Sequence, residues 1–202
     1  MNIPEKVVKR LTLYHCICTD YAEKNIEFIA SPQIANLLNI DESLVRKDLK
    51  YLNNTGKCRV GYDVSELEKA VEETLGFAVA KKAFIIGAGN LGTALTKYDD
   101  FSKYGINIIA LFDNNPLKID TTINHIRVFH LRDLPSLAKK QKVDFAILTV
   151  PRQFAQEVAD VLVEAEIKNI WNFTPCVLKV PSTVKVRNEN LMASCLRFTV
   201  CT

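Results

Sequence analysis

At 202 residues, with 48% apolar and 24% charged residues and a formal net charge of +3, the chain carries enough apolar material for a packed core and is not a disordered segment. No apolar run approaches the ~20 residues of a membrane span, and the first residues are charged where a signal peptide would be apolar, so a cytoplasmic protein of one large or two small domains is expected. Six cysteines and three histidines fall at no metal-binding spacing, which predicts free thiols and assigns the histidines no role.

The first third reads as helices. Residues 4–21 place Val7, Val8, Leu11, Tyr14, Cys18 and Tyr21 close to helical spacing. Ser31 as cap and Pro32 as first helical residue predict a short helix over 32–38. A three-residue turn, with Asp41 as the next cap, leads into a helix over 42–52. Two short helices around a tight turn make a helix-turn-helix. Turn residues at 53–57 and an apolar stretch at 58–62 predict the hairpin of a winged helix. Residues 43–62 hold five basic side chains (Arg46, Lys47, Lys50, Lys57 and Arg59) against one acid, Asp48, a local +4 within the +2 of residues 1–62. Positive charge gathered on the second helix and wing suits phosphate and base contacts. The candidate DNA contacts are Arg10, Ser43, Arg46, Lys47, Lys50, Tyr51, Lys57, Arg59 and Tyr62. The plainer alternative is a solvated helix face.

After a linking helix over 64–75, closed by Gly76, the pattern changes. Near-continuous apolar strands at 83–86, 107–112, 126–129, 145–150 and 169–171 alternate with helices at 92–98, 132–140 and 152–165. This grammar predicts a parallel sheet covered on both faces. The first strand runs into Gly87-x-Gly89-x-x-Gly92, and Asp113 ends the second strand 21 residues later. Gly87 permits the tight turn, Gly89 lets backbone approach a pyrophosphate, and Gly92 lets helix pack on strand. Asp113 is placed to accept from a ribose diol. The glycine turn could also bind nothing, or another nucleotide such as coenzyme A. Ligands of such sheets sit at the carboxyl ends of the strands, which adds Thr149-Val150-Pro151 and residues 172–175 to the candidate site.

These motifs together, with Ile3-Pro4, Arg10-Leu11, Leu13-Tyr14, Val45-Arg46-Lys47-Asp48-Leu49, Tyr51, Val60-Gly61-Tyr62, Phe112-Asp113, Leu148 to Pro151 and Asn172 to Pro175, resemble the Rex family of redox-sensing transcriptional repressors over nearly the whole chain. The resemblance implies an α/β homodimer. It would have a winged helix-turn-helix over 1–78, a Rossmann-type doubly wound parallel sheet over 79–182, and a short C-terminal segment, 183–202, whose helix is exchanged between protomers. It implies binding of double-stranded operator DNA and of NAD or NADH as sensed ligands, with NADH releasing the DNA and no catalysis. By position, Arg46 and Lys47 would contact the major groove or its phosphates. Gly87, Gly89, Asn90, Leu91 and Gly92 would cradle the pyrophosphate. Asp113, with Asn114 beside it, would hold the adenosine ribose, and the lack of a nearby Arg favours NAD over NADP. Thr149, Val150, Pro151, Asn172, Thr174 and Pro175 would line the nicotinamide side.

Three positions form the family's redox switch: an Arg, a Tyr and an Asp. Here they are Cys16, Tyr98 and Asn190, a neutral set that cannot make the charged pair. A divergent paralogue with a blunted NADH response, or with another nucleotide ligand, is the runner-up. An NAD-dependent oxidoreductase is disfavoured, because neither strand-end motif at 149–151 or 172–175 supplies a proton-transfer group beside the ring.

Overall fold

The structure is a computed structural model and describes residues 3–52, 56, 60–98 and 100–200, without the side chains of residues 197 and 198. The chain divides into two compact units, residues 1–79 and 80–202.

The first unit runs α1 (Glu5–Glu23), β1 (Phe28–Ile29), α2 (Ser31–Leu38), α3 (Glu42–Leu49), β2 (Tyr62–Asp63) and α4 (Val64–Leu75). Val7, Leu11, Tyr14 and Cys18 are the buried residues of α1, a single stripe one turn apart. They pack with Ile34 of α2, Val45 and Leu49 of α3, and Leu67 and Val71 of α4. Each such side chain contributes about 1.5–3 kcal/mol by leaving water. Two boundaries differ from the sequence reading. Ala30, not Ser31, is the cap residue of α2, and Gln33 Oε1 accepts from Ala30 N at 2.7 Å. The Ser31 hydroxyl is used elsewhere, donating to Glu42 Oε1 at 2.9 Å. Asp41 caps α3 as expected, accepting from Ser43 N, but that helix stops at Leu49, and Tyr51–Leu52 turn back by bonds to Asp48 O and Leu49 O. The predicted turn at 53–57 and the start of the strand at 58–62 lie mostly outside the described residues. The described strand is β2, pairing antiparallel with β1, a two-residue partner too short to leave an alternating pattern.

The second unit runs β3 (Lys81–Ile86), α5 (Asn90–Thr96), α6 (Asp100–Lys103), β4 (Ile106–Asp113), β5 (Thr122–Ile123), β6 (Ile126–His130), α7 (Leu134–Gln141), β7 (Phe145–Leu148), α8 (Ala155–Glu164), β8 (Asn169–Asn172), β9 (Lys185–Asn188) and α9 (Leu191–Val200). Its sheet has the order β5-β6-β4-β3-β7-β8-β9, parallel except for β5, which hairpins onto β6. Without β5 this is the doubly wound order 3-2-1-4-5-6, whose direction reverses between β3 and β7. Alternation sorts the central strand: Phe84 and Ile86 face a core shared with α7 and α8, and Ile85 faces Phe101, Leu111 and Ile147 on the other side. Two strands were not read from the sequence. The hairpin of β5 turns on Asn124 and His125, at φ 47° and 64°. Strand β9 adds to the sheet residues expected to belong to a separate C-terminal segment. Among the described residues no helix is long and apolar enough to cross a membrane.

Candidate functional site

Strand β3 delivers the chain to Gly87 at φ +104°, a region L side chains rarely enter. A Cβ on Gly87 would stand 3.0 Å from the Thr149 backbone, and one on Gly92 would overlap Gly87 O. Those two glycines are required by the turn itself. Gly89 differs: nothing lies within 4 Å of its would-be Cβ. The absent side chain there leaves open space rather than relieving a clash. Thr149 fastens the turn across the sheet, its hydroxyl donating to Ile86 O at 3.0 Å and Gly87 O at 2.9 Å.

Asp113 stands at the end of β4 beside the turn. Its Oδ2 accepts from Ala88 N at 2.9 Å and its Oδ1 from Asn115 N at 2.9 Å. Lys118 Nζ lies 3.4 Å from Asp113 Oδ2 and donates to Ala88 O at 2.9 Å. The sequence reading noted that no Arg follows Asp113 and did not weigh Lys118. The signal was the Asn115 turn, whose side chain accepts from Leu117 N at 3.0 Å and folds Lys118 back. Lys118 lines the same cavity, its ammonium turned to Asp113 and to the Ala88 carbonyl.

Gly87, Gly89, Asp113, Asn114, Thr149, Val150 and Pro151 all line one cavity of about 430 Å³, walled further by Leu131, Phe154 and Val158. Gly89 and Asn90 also line the neighbouring hollow over α5. Leu91 and Gly92 support the turn from within α5 and line neither hollow. Val150 and Pro151 line this cavity together with Asp113. Asn172 and Thr174 lie elsewhere. Asn172 is fully buried and donates to Cys176 O and Asn188 Oδ1, while its Oδ1 accepts from Thr174 N and Thr174 Oγ1. Their polar atoms hold the turn after β8 together, and with Pro175 they stand outside the cavity.

In the first unit, Ser43, Arg46, Lys47 and Lys50 lie exposed along α3, at the i, i+3, i+4, i+7 spacing of one helix face. Arg46 is held on that face by Glu42 Oε1 at 2.6 Å and by the Ser31 hydroxyl at 3.3 Å. Tyr51 and Tyr62 are half-buried against the core, so they support the face more than they extend it. Lys57 and Arg59 lie outside the described residues. Arg10 is paired within the unit. Its Nε and Nη2 donate to Asp48 of α3 at 2.5 and 2.8 Å, and Tyr14 OH donates to the same carboxylate at 2.7 Å. Asp48 is only 2% exposed. Arg10 therefore positions the second helix from behind. Pairing with Asp48 holds the guanidinium more firmly protonated, and burial, then Asp48, pushes the Tyr14 phenol up.

The proposed switch positions are each accounted for locally. Cys16 is exposed on α1. Tyr98 is exposed, with its ring edge-on to Phe101 at 5.3 Å. Asn190 caps α9, its Oδ1 accepting from Ala193 N at 2.9 Å.

Comparison with known proteins agrees with both units. Residues 2–50 match a family described as "Putative DNA-binding protein N-terminus", and residues 79–176 match one described as "CoA binding domain". The redox-sensing transcriptional repressor Rex of Bacteroides fragilis is 39% identical over 192 residues, covering 95% of this chain and 87% of that protein. The Rex repressor of Desulfitobacterium hafniense is 40% identical, with 95% and 91% covered. Two solved structures of RSP, a Rex-family repressor, are similar in fold. The complex with beta-NAD+ and operator DNA has a TM-score of 0.90 at 33% identity, with 98% and 92% covered. The complex with beta-NADH has 0.88 at 34%, with 98% and 93% covered. The chain belongs to the Rex family of redox-sensing transcriptional repressors.

Proposed function

We propose that this protein is a DNA-binding repressor that responds to the balance of NADH and NAD. Residues 1–78 hold operator DNA, residues 79–182 hold the dinucleotide, residues 183–202 pair two chains into a cytoplasmic homodimer with exchanged C-terminal helices, and NADH weakens the operator complex. The observation that carries this reading is one cavity, at the point where the sheet reverses, that joins the open Gly89 position, the Asp113 carboxylate and the apolar wall Val150–Pro151–Phe154.

An ionised carboxylate has about four acceptor sites. Ala88 N and Asn115 N use two of those on Asp113, which leaves acceptor capacity for a ribose diol. The wall suits an adenine face. Coenzyme A carries a phosphate on that ribose, and the Asp113 carboxylate repels it, so the reading favours NAD despite the name of the matching domain family. Asp113 and Lys118 are the titratable groups of the cavity wall, and both are engaged at the turn, which supports ligand sensing over hydride-transfer catalysis.

A second reading, a paralogue with a blunted redox response, draws on the neutral switch set, since Asn190 Oδ1 already accepts from its own helix. Operator affinity of the full-length protein, measured against rising NAD and NADH separately, decides between them. Release by NADH alone supports the first reading. Equal effects of both nucleotides support the second. No nucleotide uptake by calorimetry overturns both.

A further inference from the structure

Helices α1 and α4 bring three ligand-type side chains together in the first unit. His15 Nε2 lies 3.0 Å from Glu72 Oε1 and 3.9 Å from Glu68 Oε1. One ligand atom from each side chain falls within 4.8 Å of the other two, the one such group of His, Cys, Asp or Glu among the described residues. Helix geometry makes the arrangement. Glu68 and Glu72 stand one turn apart and share a face of α4, and α1 presents His15 to that face. The site has supporting partners. Thr19 Oγ1, one turn along α1, donates to Glu68 Oε1 at 2.7 Å, and the Phe77 ring stands edge-on to the imidazole at 5.1 Å.

The geometry points to a divalent transition-metal site formed by His15, Glu68 and Glu72, which clamps α1 to α4. Two carboxylates facing an imidazole nitrogen in a half-buried place make a donor set that a dication satisfies. Tetrahedral zinc holds nitrogen and oxygen ligands at about 2.0–2.2 Å, which sets the ligand atoms roughly 3.4 Å from one another. The observed 3.0 and 3.9 Å bracket that value, so small carboxylate rotations close the site and leave a fourth position for water. The imidazole disfavours magnesium and calcium, which take oxygen ligands, and the mixed nitrogen and oxygen set selects zinc, cobalt, nickel or copper. The thiol of Cys18 is not a competing ligand. It is fully buried in the helical core, and its sulfur is not among the grouped ligand atoms. The clamp bears on α1, the helix whose Arg10 and Tyr14 grip Asp48 of α3.

The test uses full-length protein and two probes, Co2+ for spectroscopy and Zn2+ for thermal shift. We expect one equivalent of Co2+ per chain to give tetrahedral d–d bands without a thiolate charge-transfer band, and Zn2+ to raise the melting temperature. Glu72→Gln, at a half-exposed position, and His15→Gln should each weaken binding at least about tenfold, with Cys16→Ser unchanged. A thiolate band, parent-like binding by both the Glu72 and His15 variants, or no uptake of Co2+ at millimolar concentration overturns the site. None of these readouts depends on operator or nucleotide binding.

Discussion

Replacing Arg10 with Ala separates a helix-positioning residue from a DNA-contacting one. The Asp48 carboxylate is 2% exposed and accepts from two guanidinium nitrogens and one phenol. Charge-assisted hydrogen bonds contribute about 1.5–3 kcal/mol each, and removing one partner of a buried pair costs about 3–5 kcal/mol. The Arg10 side chain keeps 20% exposure, so its removal opens a path for water to the Asp48 carboxylate and the lower figure applies. We expect Arg10→Ala to cost about 3 kcal/mol, which in a domain of this size lowers the melting temperature by roughly 10–20 °C. Asp48→Asn costs about 2 kcal/mol, and the double variant little more than Arg10→Ala alone, a coupling near 2 kcal/mol. Thermal unfolding of the full-length variants by circular dichroism measures the cycle. The salt dependence of operator binding supplies the control. Each lost phosphate contact reduces the slope of log K against log salt by about 0.9, whereas a positioning residue lowers affinity without changing the slope. An Arg10→Ala protein that melts like the parent but binds operator with a shallower salt slope refutes this reasoning.

Four further outcomes follow from the same geometry. Gly89→Val abolishes nucleotide binding in calorimetry while the melting temperature of the unliganded protein stays near the parent's, because the open space beside Gly89 belongs to the cavity. Lys47→Ala weakens operator binding by roughly 1–3 kcal/mol and flattens the salt slope; Arg46→Ala weakens it less, since Arg46 must first leave Glu42, a pair that contributes about 0.3–0.5 kcal/mol. The Tyr14 phenol is raised in the folded state by burial and Asp48, so its stabilisation is complete below pH ~10 and is lost as pH rises toward the folded-state value; urea titrations from pH 8 to 11 should show a smaller alkaline loss for Tyr14→Phe than for the parent. Cys16→Arg combined with Asn190→Asp should widen the NADH-to-NAD difference in operator release more than either change alone, since each single change leaves one charge without its partner.

Local chemistry explains what the sequence made legible. The core strands, the capping by Asp41 and the glycine turn leave strong marks, because burial and positive φ restrict residue types at fixed spacing. Strands β1 and β5, two residues each, are too short for a period to emerge. Strand β9 reads Lys-Val-Arg-Asn and is mostly exposed, and only pairing with β8 makes it a strand. The partners of the candidate site residues were hidden for a different reason. Arg10, Asn172 and Thr174 are polar groups at suggestive positions, yet tertiary partners consume them. Asp48, 38 residues from Arg10, accepts its bonds, and Asn188, 16 residues from Asn172, takes one of that side chain's. Partners that distant leave no trace in a local window. The same blindness hid His15, which has no partner at helical spacing in sequence but meets Glu72 across 57 positions.

The positions of these committed groups also bear on where redox state is read. NAD and NADH share their adenosine and pyrophosphate, and they differ only in the ring. A ligand shifts a conformational equilibrium only by its differential affinity for the two states. Under the proposed function the Gly89, Asp113 and Val150–Phe154 cavity holds the shared half, with Asp113 already oriented by Ala88 N and Lys118. Such an anchor raises the affinity of both forms by the same factor and adds nothing to their ratio. Discrimination therefore belongs to groups that meet the ring or follow its charge. The turn after β8 is rigidly satisfied by Asn172, Thr174 and Asn188, so it offers a fixed surface rather than an adjustable one. Tyr98 is exposed at the head of an aromatic series, Tyr98, Phe101, Trp171 and Phe173, whose first two contacts are edge-on and whose last is tilted, and its side chain is hydrogen-bonded to Asp100. Under the proposed function, affinity and redox reading rest on different side chains: a change at the anchor is expected to scale both ligands together, and a change at Tyr98 to alter the contrast between them.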